Sequence, residues 1–120
     1  MNKEELQKRT KLFALRIIRL VESLPETKTA KTIGSQIIRS GTSVGANYRA
    51  ACRAKSDADF INKLKIVEEE ADETAYWLEL LIESETIPEE KLKDLLKENN
   101  ELIAIFVSIL KTKRENLNRK

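Results

Sequence analysis

Apolar residues recur at three- and four-residue steps along four long stretches of the chain. Leu6, Thr10, Phe13, Ile17, Leu20 or Val21, and Leu24 form the first stripe, widened by Leu15 and Ile18. This is the pattern of an amphipathic helix over about Lys3 to Leu24. Pro25 ends it, because its ring clashes with a continuing helix and biases Leu24 away from helical angles. Thr27 and Thr29 can cap a second helix over about residues 29–54, with Ile33, Ile37, Ile38, Gly41, Val44, Tyr48 and Ala51 or Cys52 on its apolar face. Ser56 can cap the amide of Asp59 and start a third helix, about residues 57–84. Its stripe is Phe60, Leu64, Val67, Ala71, Thr74 or Ala75, Leu78, and Leu81 or Ile82. Pro88, followed by Glu89 and Glu90, starts a fourth helix that runs to about Asn116. Leu92, Leu95 or Leu96, Asn99, Leu102 or Ile103, Phe106, and Ile109 or Leu110 face inward on it. Long helices with short connections predict an all-α protein, an antiparallel up-down-up-down four-helix bundle. It forms a single domain over residues 1–120, ending in a short basic tail at about 116–120.

One segment has more apolar surface than a monomeric bundle needs. Leu102-Ile103-Ala104-Ile105-Phe106-Val107 is apolar around most of the helix circumference, and Leu15 to Ile18 and Tyr76 to Leu78 behave similarly. A helix apolar on several sides must bury several sides. Ile18, Trp77, Ile105 and Val107 are therefore candidates for a contact with a second copy of the chain.

Composition narrows the chemistry. The chain has no histidine, which removes His-ligated zinc, Ser-His-Asp triads and imidazole acid–base catalysis. A single cysteine, Cys52, cannot form an internal disulfide and fits a reducing, cytoplasmic setting. No apolar run approaches the ~20 residues of a membrane span, and the first residues lack a signal-peptide core. No cofactor or metal is expected. The cluster Glu68, Glu69, Glu70, Asp72 and Glu73 lacks the histidines of a di-iron bundle. Glu70 and Glu73 are expected to pair with an arginine of a neighbouring helix, the others to be solvated.

The net charge of +2 conceals a strong segregation. Residues 1–67 carry 14 Lys/Arg and 6 Asp/Glu, residues 68–101 carry 3 and 13, and residues 102–120 carry 5 and 1. Folding should turn these segments into surfaces of opposite sign, suited to a polyanion or to copies of the chain itself. Arg16, Arg19, Arg39, Arg49, Arg53, Lys111, Lys113 and Arg114 are the candidate phosphate contacts. Few aromatic side chains lie among them, which disfavours sequence-specific reading of single strands.

The most distinctive stretch is Arg39-Ser40-Gly41-Thr42-Ser43-Val44-Gly45-Ala46-Asn47-Tyr48-Arg49. It fails as a P-loop, since Ala46 follows Gly45 where Lys is required. Gly41 and Gly45, four apart on a helix, instead let a neighbouring helix approach closely, with Ser40, Ser43 and Asn47 able to hydrogen-bond across the contact.

With its flanks, Gly34 to Ala51, this stretch resembles the signature of the bacterial four-helix bundle proteins of the 23S ribosomal RNA intervening-sequence family. Ser56-Asp57-Ala58-Asp59-Phe60, Leu64 and Glu73 to Leu81 fit the same pattern. The resemblance implies antiparallel four-helix bundles assembled as ring-like homopentamers and encoded within intervening sequences of ribosomal RNA genes. A relative is the accessory variability protein of diversity-generating retroelements, a basic pentamer associated with nucleic acid and a reverse transcriptase. The resemblance supplies no catalytic residue. Its motif falls on Arg39, Ser40, Gly41, Ser43, Gly45, Asn47 and Phe60, residues suited to packing, and the acidic segment 68–101 departs from a uniformly basic surface.

The reading is a non-enzymatic homo-oligomer, a pentamer by resemblance, that binds RNA or DNA through a multivalent basic surface. The alternative is a scaffold or protein-interaction module that binds a protein partner and no nucleic acid. A third reading, magnesium-dependent phosphodiester hydrolysis at Glu69, Glu70 and Glu73, rests on carboxylates alone.

Overall fold

The computed structural model describes residues 1–119, as four helices in a bundle measuring 53 × 22 × 21 Å. Local sequence chemistry accounts for the helix boundaries. α1 (Lys3–Glu22) opens at Asn2, whose side chain accepts from the Glu5 amide at 2.9 Å. It stops two residues before Leu24, capped at Ser23, because Pro25 denies the backbone a further turn. Leu24 still packs on the core. α2 (Lys28–Ala51) is capped by Thr27, which accepts from the Ala30 amide at 3.1 Å. It ends short of residue 54: the amides of Arg53 and Ala54 tighten onto the carbonyls three residues back, both at 3.0 Å. α3 (Asp57–Glu83) starts at the Ser56 cap, which accepts from Asp59 N at 3.1 Å. α4 (Glu89–Asn118) follows Pro88 and continues through most of the expected basic tail. Lys120, the last residue of that tail, lies outside the described residues.

Between α3 and α4 the chain reverses at Glu85, the one non-glycine residue with positive φ (58°) among the described residues. The Glu85 amide donates to Ile82 O at 3.0 Å and the Thr86 amide to Leu81 O at 3.1 Å. This is the Schellman closure, with a glutamate where glycine is usual.

α2 packs on α1 and α3, and α3 on α4, while α1 and α4 touch only sparsely. Arg9 bridges that open side. Its Nε and Nη2 donate to Glu98 at 2.8 and 2.7 Å, and Nη2 also reaches Glu101 at 3.1 Å. The Glu98 hydrogen bond holds the Arg9 guanidinium charged.

The core follows the predicted stripes closely. Phe13, Ile17, Ile37, Val44, Leu64, Val67, Leu78, Leu81, Leu92, Leu102 and Phe106 are fully buried. Ile61, not Phe60, takes the first core position of α3; Phe60 is half-buried under Lys113 Nζ, 5.3 Å from its ring centre. The 102–107 segment has less spare apolar surface than its composition suggests. Leu102 and Phe106 are buried, and Ile103 and Ile105 pack against the same core. Only Ala104 and Val107 of that segment are exposed.

All three glycines lie on α2 against α1. A Cβ on Gly41 would stand 2.8 Å from Ile17 Cγ1, one on Gly34 2.9 Å from Leu24 Cδ1, and one on Gly45 3.3 Å from the Thr10 carbonyl oxygen. The absent side chains set the distance between these helices. The hydroxyls and amide of the same stretch behave differently from expectation. Ser43 donates to Arg39 O and Asn47 to Ser43 O, both within α2. Only Ser40 reaches across a contact, and it does so toward α3, accepting from Thr74 Oγ1 at 2.8 Å.

Candidate nucleic-acid interface

Antiparallel topology converts the charge segments into a polarity along the long axis. One end gathers residues 1–11, 47–63 and 106–119, with 12 Lys/Arg and 5 Asp/Glu. The other gathers residues 18–34 and 74–96, with 5 and 8. One end is thus strongly basic, while the acidic segment is spread over the middle of the bundle and the other end.

At the basic end, α1 and α2 enclose a groove of about 540 Å³. Its floor is Ala14, Thr42, Gly45 and Ala46, small residues that allow a close helix approach and leave an open cleft above it. Lys8 and Lys11, one turn apart on α1, stand on one side. Arg49 of α2 and Arg53 of the following turn stand on the other, and Glu4 and Gln7 close the rim. Among the described residues, none of these four cations lies within 4 Å of a carboxylate oxygen. The arrangement presents unpaired positive charge over an uncharged floor. It fits an extended anion.

The other sequence candidates divide. Arg39 pairs within the fold: Nη1 meets Glu70 at 3.2 Å, Nη2 meets Glu73 at 2.5 Å, and Nε donates to Gln36 at 3.3 Å. Its hydrogen bond holds the Glu73 carboxyl below the usual carboxylate range, helped by Trp77 Nε1 at 3.4 Å. Arg39 thereby clamps α2 to α3, the pairing expected for Glu70 and Glu73. Lys113 pairs with Asp57 at 3.6 Å. Lys111 and Arg114 are exposed on the last turns of α4, at the basic end but outside the groove. Arg16 and Arg19 lie on α1 and do not line the groove. Of the oligomer candidates, Ile18, Trp77 and Ile105 are half-buried and Val107 is 47% exposed.

Lys8 and Lys11 are groove residues that the sequence reading did not single out. Their signal was a three-residue spacing beside Ala14. It became meaningful only once Gly45 set Thr10 against α2 and brought Arg49 and Arg53 opposite.

Other chemistry is sparse. Cys52 is a free, half-buried thiol. Burial, then a hydrogen bond with Cys52, pushes the Tyr48 phenol well above its ordinary range. Among the described residues no cluster of three or more Cys, Asp or Glu could hold a metal ion, and no helix is long and apolar enough to cross a membrane.

Fold and groove together define an all-α bundle of four antiparallel helices with a cationic cleft at one end. The profile of the 23S rRNA-intervening sequence proteins matches residues 2–108, and the chain belongs to that family. It is 42% identical to a protein of unknown function from the S23 ribosomal protein family of Bacteroides thetaiotaomicron VPI-5482, whose crystal structure superposes with a TM-score of 0.85. That match covers 92% of this chain and 99% of the other. No curated protein matches. Neither the family description nor the related structure names an enzymatic activity.

Proposed function

We propose that this protein is a non-enzymatic homo-oligomer, a pentamer by its resemblance, that binds RNA or DNA through repeated copies of the α1–α2 groove. The observation that carries the reading is the set of four unpaired cations, Lys8, Lys11, Arg49 and Arg53, gathered over a small-residue floor at the basic end. One groove neutralises few phosphates. A ring of them multiplies the contacts and raises the local concentration of the second site once the first is engaged. Each phosphate contact releases condensed counterions, so affinity should fall steeply with salt. No aromatic side chain lines the groove, so it recognises the backbone rather than the bases.

The test is anisotropy of labelled structured RNA and duplex DNA between about 50 and 200 mM salt. The wild type should bind at low salt and weaken by about tenfold or more across that range. Replacing Arg49 and Arg53 by Gln should lower the log–log salt slope by about 2, one for each contact. Absence of binding at low salt, or binding that ignores salt, overturns the reading. In that case, stoichiometric capture of one protein partner, unaffected by nuclease, would establish a scaffold instead.

A further inference from the structure

We infer that Arg9 is a positioning residue for the groove: Glu98 and Glu101 of α4 hold Arg9, and Arg9 holds Lys8 and Lys11 in place on the α1 wall. This role rests on the polyanion reading above, whose site it keeps in shape.

Arg9 lies between the two groove lysines in sequence but on another face of α1. Successive helical residues turn by about 100°, so the side chain at 9 points well away from those at 8 and 11. Lys8 and Lys11 line the groove beside α2, whereas Arg9 reaches to α4. Its contact is a fork. Nε donates to Glu98 Oε2 at 2.8 Å and Nη2 to Glu98 Oε1 at 2.7 Å, and Nη2 also meets Glu101 Oε1 at 3.1 Å. Two parallel hydrogen bonds fix direction as well as distance. The Arg9 side chain is 25% exposed and that of Glu98 19%, so solvent screens this pair less than an open surface pair.

This end of α1 has little else to hold it. Within residues 3–12 only Leu6 and Thr10 are buried. Toward α2, Gly45 offers no side chain for α1 to lock against. Among the described residues no side-chain hydrogen bond or ion pair joins α1 to α2; the Thr10 hydroxyl bonds its own helix, and Arg9 goes to α4. α1 and α4 otherwise touch only sparsely. A helix end with few buried contacts is where local opening starts. If α1 rolls or frays there, Lys8 and Lys11 leave the groove while Arg49 and Arg53 stay opposite. The clasp therefore has a distinctive sign. Its two carboxylates favour anion binding by holding the wall, although their own charge opposes it.

The experiment is anisotropy of labelled structured RNA and duplex DNA across the salt range above. Amide hydrogen exchange of the free protein accompanies it, with far-UV circular dichroism to verify the fold. The compared proteins are wild type, R9K and E98Q/E101Q. R9K keeps the charge and loses the fork. E98Q/E101Q removes two negative charges, so long-range attraction alone would tighten binding. Both variants should instead bind more weakly than wild type. Their log–log salt slopes should fall by up to about 2 as two lysine contacts are lost. Residues 3–12 should exchange faster in both. Variants that match or exceed a binding-competent wild type would overturn the role of Arg9 and leave the groove reading standing. So would weaker binding at an unchanged slope, or unchanged exchange over residues 3–12, because the lysines would still be in place. Loss of the fold in both variants would overturn it too, since the clasp would then hold the bundle rather than the wall. A wild type that does not bind would overturn both.

Discussion

The α1–α2 seam has glycine where its backbone freedom is unused, and the α3–α4 turn lacks it where that freedom would be used. At the seam, Gly34, Gly41 and Gly45 sit inside a regular helix, where glycine costs about 1 kcal/mol relative to alanine and none has positive φ. At the turn, Glu85 takes the left-handed conformation that glycine would adopt at no steric cost. Glycine here answers the need for close approach between helices, and backbone conformation has been left to a residue poorly suited to it. The close approach also sets Arg49 and Arg53 across from Lys8 and Lys11, so it serves the groove as well as the core.

The strongest way to break this contrast is Gly41→Val. Its Cβ alone would meet Ile17 Cγ1 at 2.8 Å and Cγ2 at 2.9 Å, and Ile17 is β-branched and fully buried, so it cannot swing aside. Overpacking of this kind costs up to about 3 kcal/mol, and the branched residue regains only part of the helix propensity that glycine forfeits. For a chain of this size, a loss of roughly 10 °C in Tm is expected by calorimetry. A variant as stable as wild type would show that α1 can move off α2 freely. Gly45→Ala should cost much less, because its nearest atom is 3.3 Å away and the gain in propensity offsets the contact.

The smaller and opposite effect belongs to the turn. Glu85→Gly should stabilise the protein by about 1 kcal/mol or somewhat less. Relief of the left-handed penalty of roughly 1–2 kcal/mol is partly cancelled by the entropy of the more flexible unfolded chain. Urea unfolding reads this as a higher midpoint with an unchanged slope. A destabilised variant would mean that the Glu85 side chain makes a contact worth more than its backbone strain.

These two sites also show how far the sequence could be read. The helices were legible because the 3.6-residue period persists over four segments and because Ser56 and Pro25 mark boundaries by their own chemistry. The close approach at Gly41 was legible because two small residues four apart have few other uses on a helix. Glu85 was not, since nothing in Ser84-Glu85-Thr86 signals a left-handed residue. The groove was half legible. Arg49 and Arg53 declare themselves by spacing, but Lys8 and Lys11 acquire meaning only from the register between two helices. Nor does sequence separate a solvated arginine from a paired one. Arg39 and Arg49 looked alike until Glu70 and Glu73 came within reach of the first.

The mildest test uses acid, and it asks whether α2 is held on its two sides by different forces. Against α1, Gly41 meets Ile17 and Gly45 meets Thr10, none of which titrates. Against α3 the Arg39 clamp holds Glu73 below its ordinary value of 4.5. A depressed folded-state value means that the unfolded chain binds the proton more readily. The stabilisation is therefore complete above about 4.5, and it is lost as pH falls through the lower folded value. Asp59, lowered by its hydrogen bond from Lys63 and then by the Lys55 amide, adds to the same slope. Both carboxylates are about a third exposed, so solvent screening keeps the effect small. Unfolding measured from pH 7 downward should be flat to about pH 5 and then decline, and Glu73→Gln should flatten part of that decline. Gly41→Val should shift the whole curve down without changing its shape. If it altered the slope instead, the two sides of α2 would be coupled, and the steric seam would be setting the geometry of the Arg39 clamp.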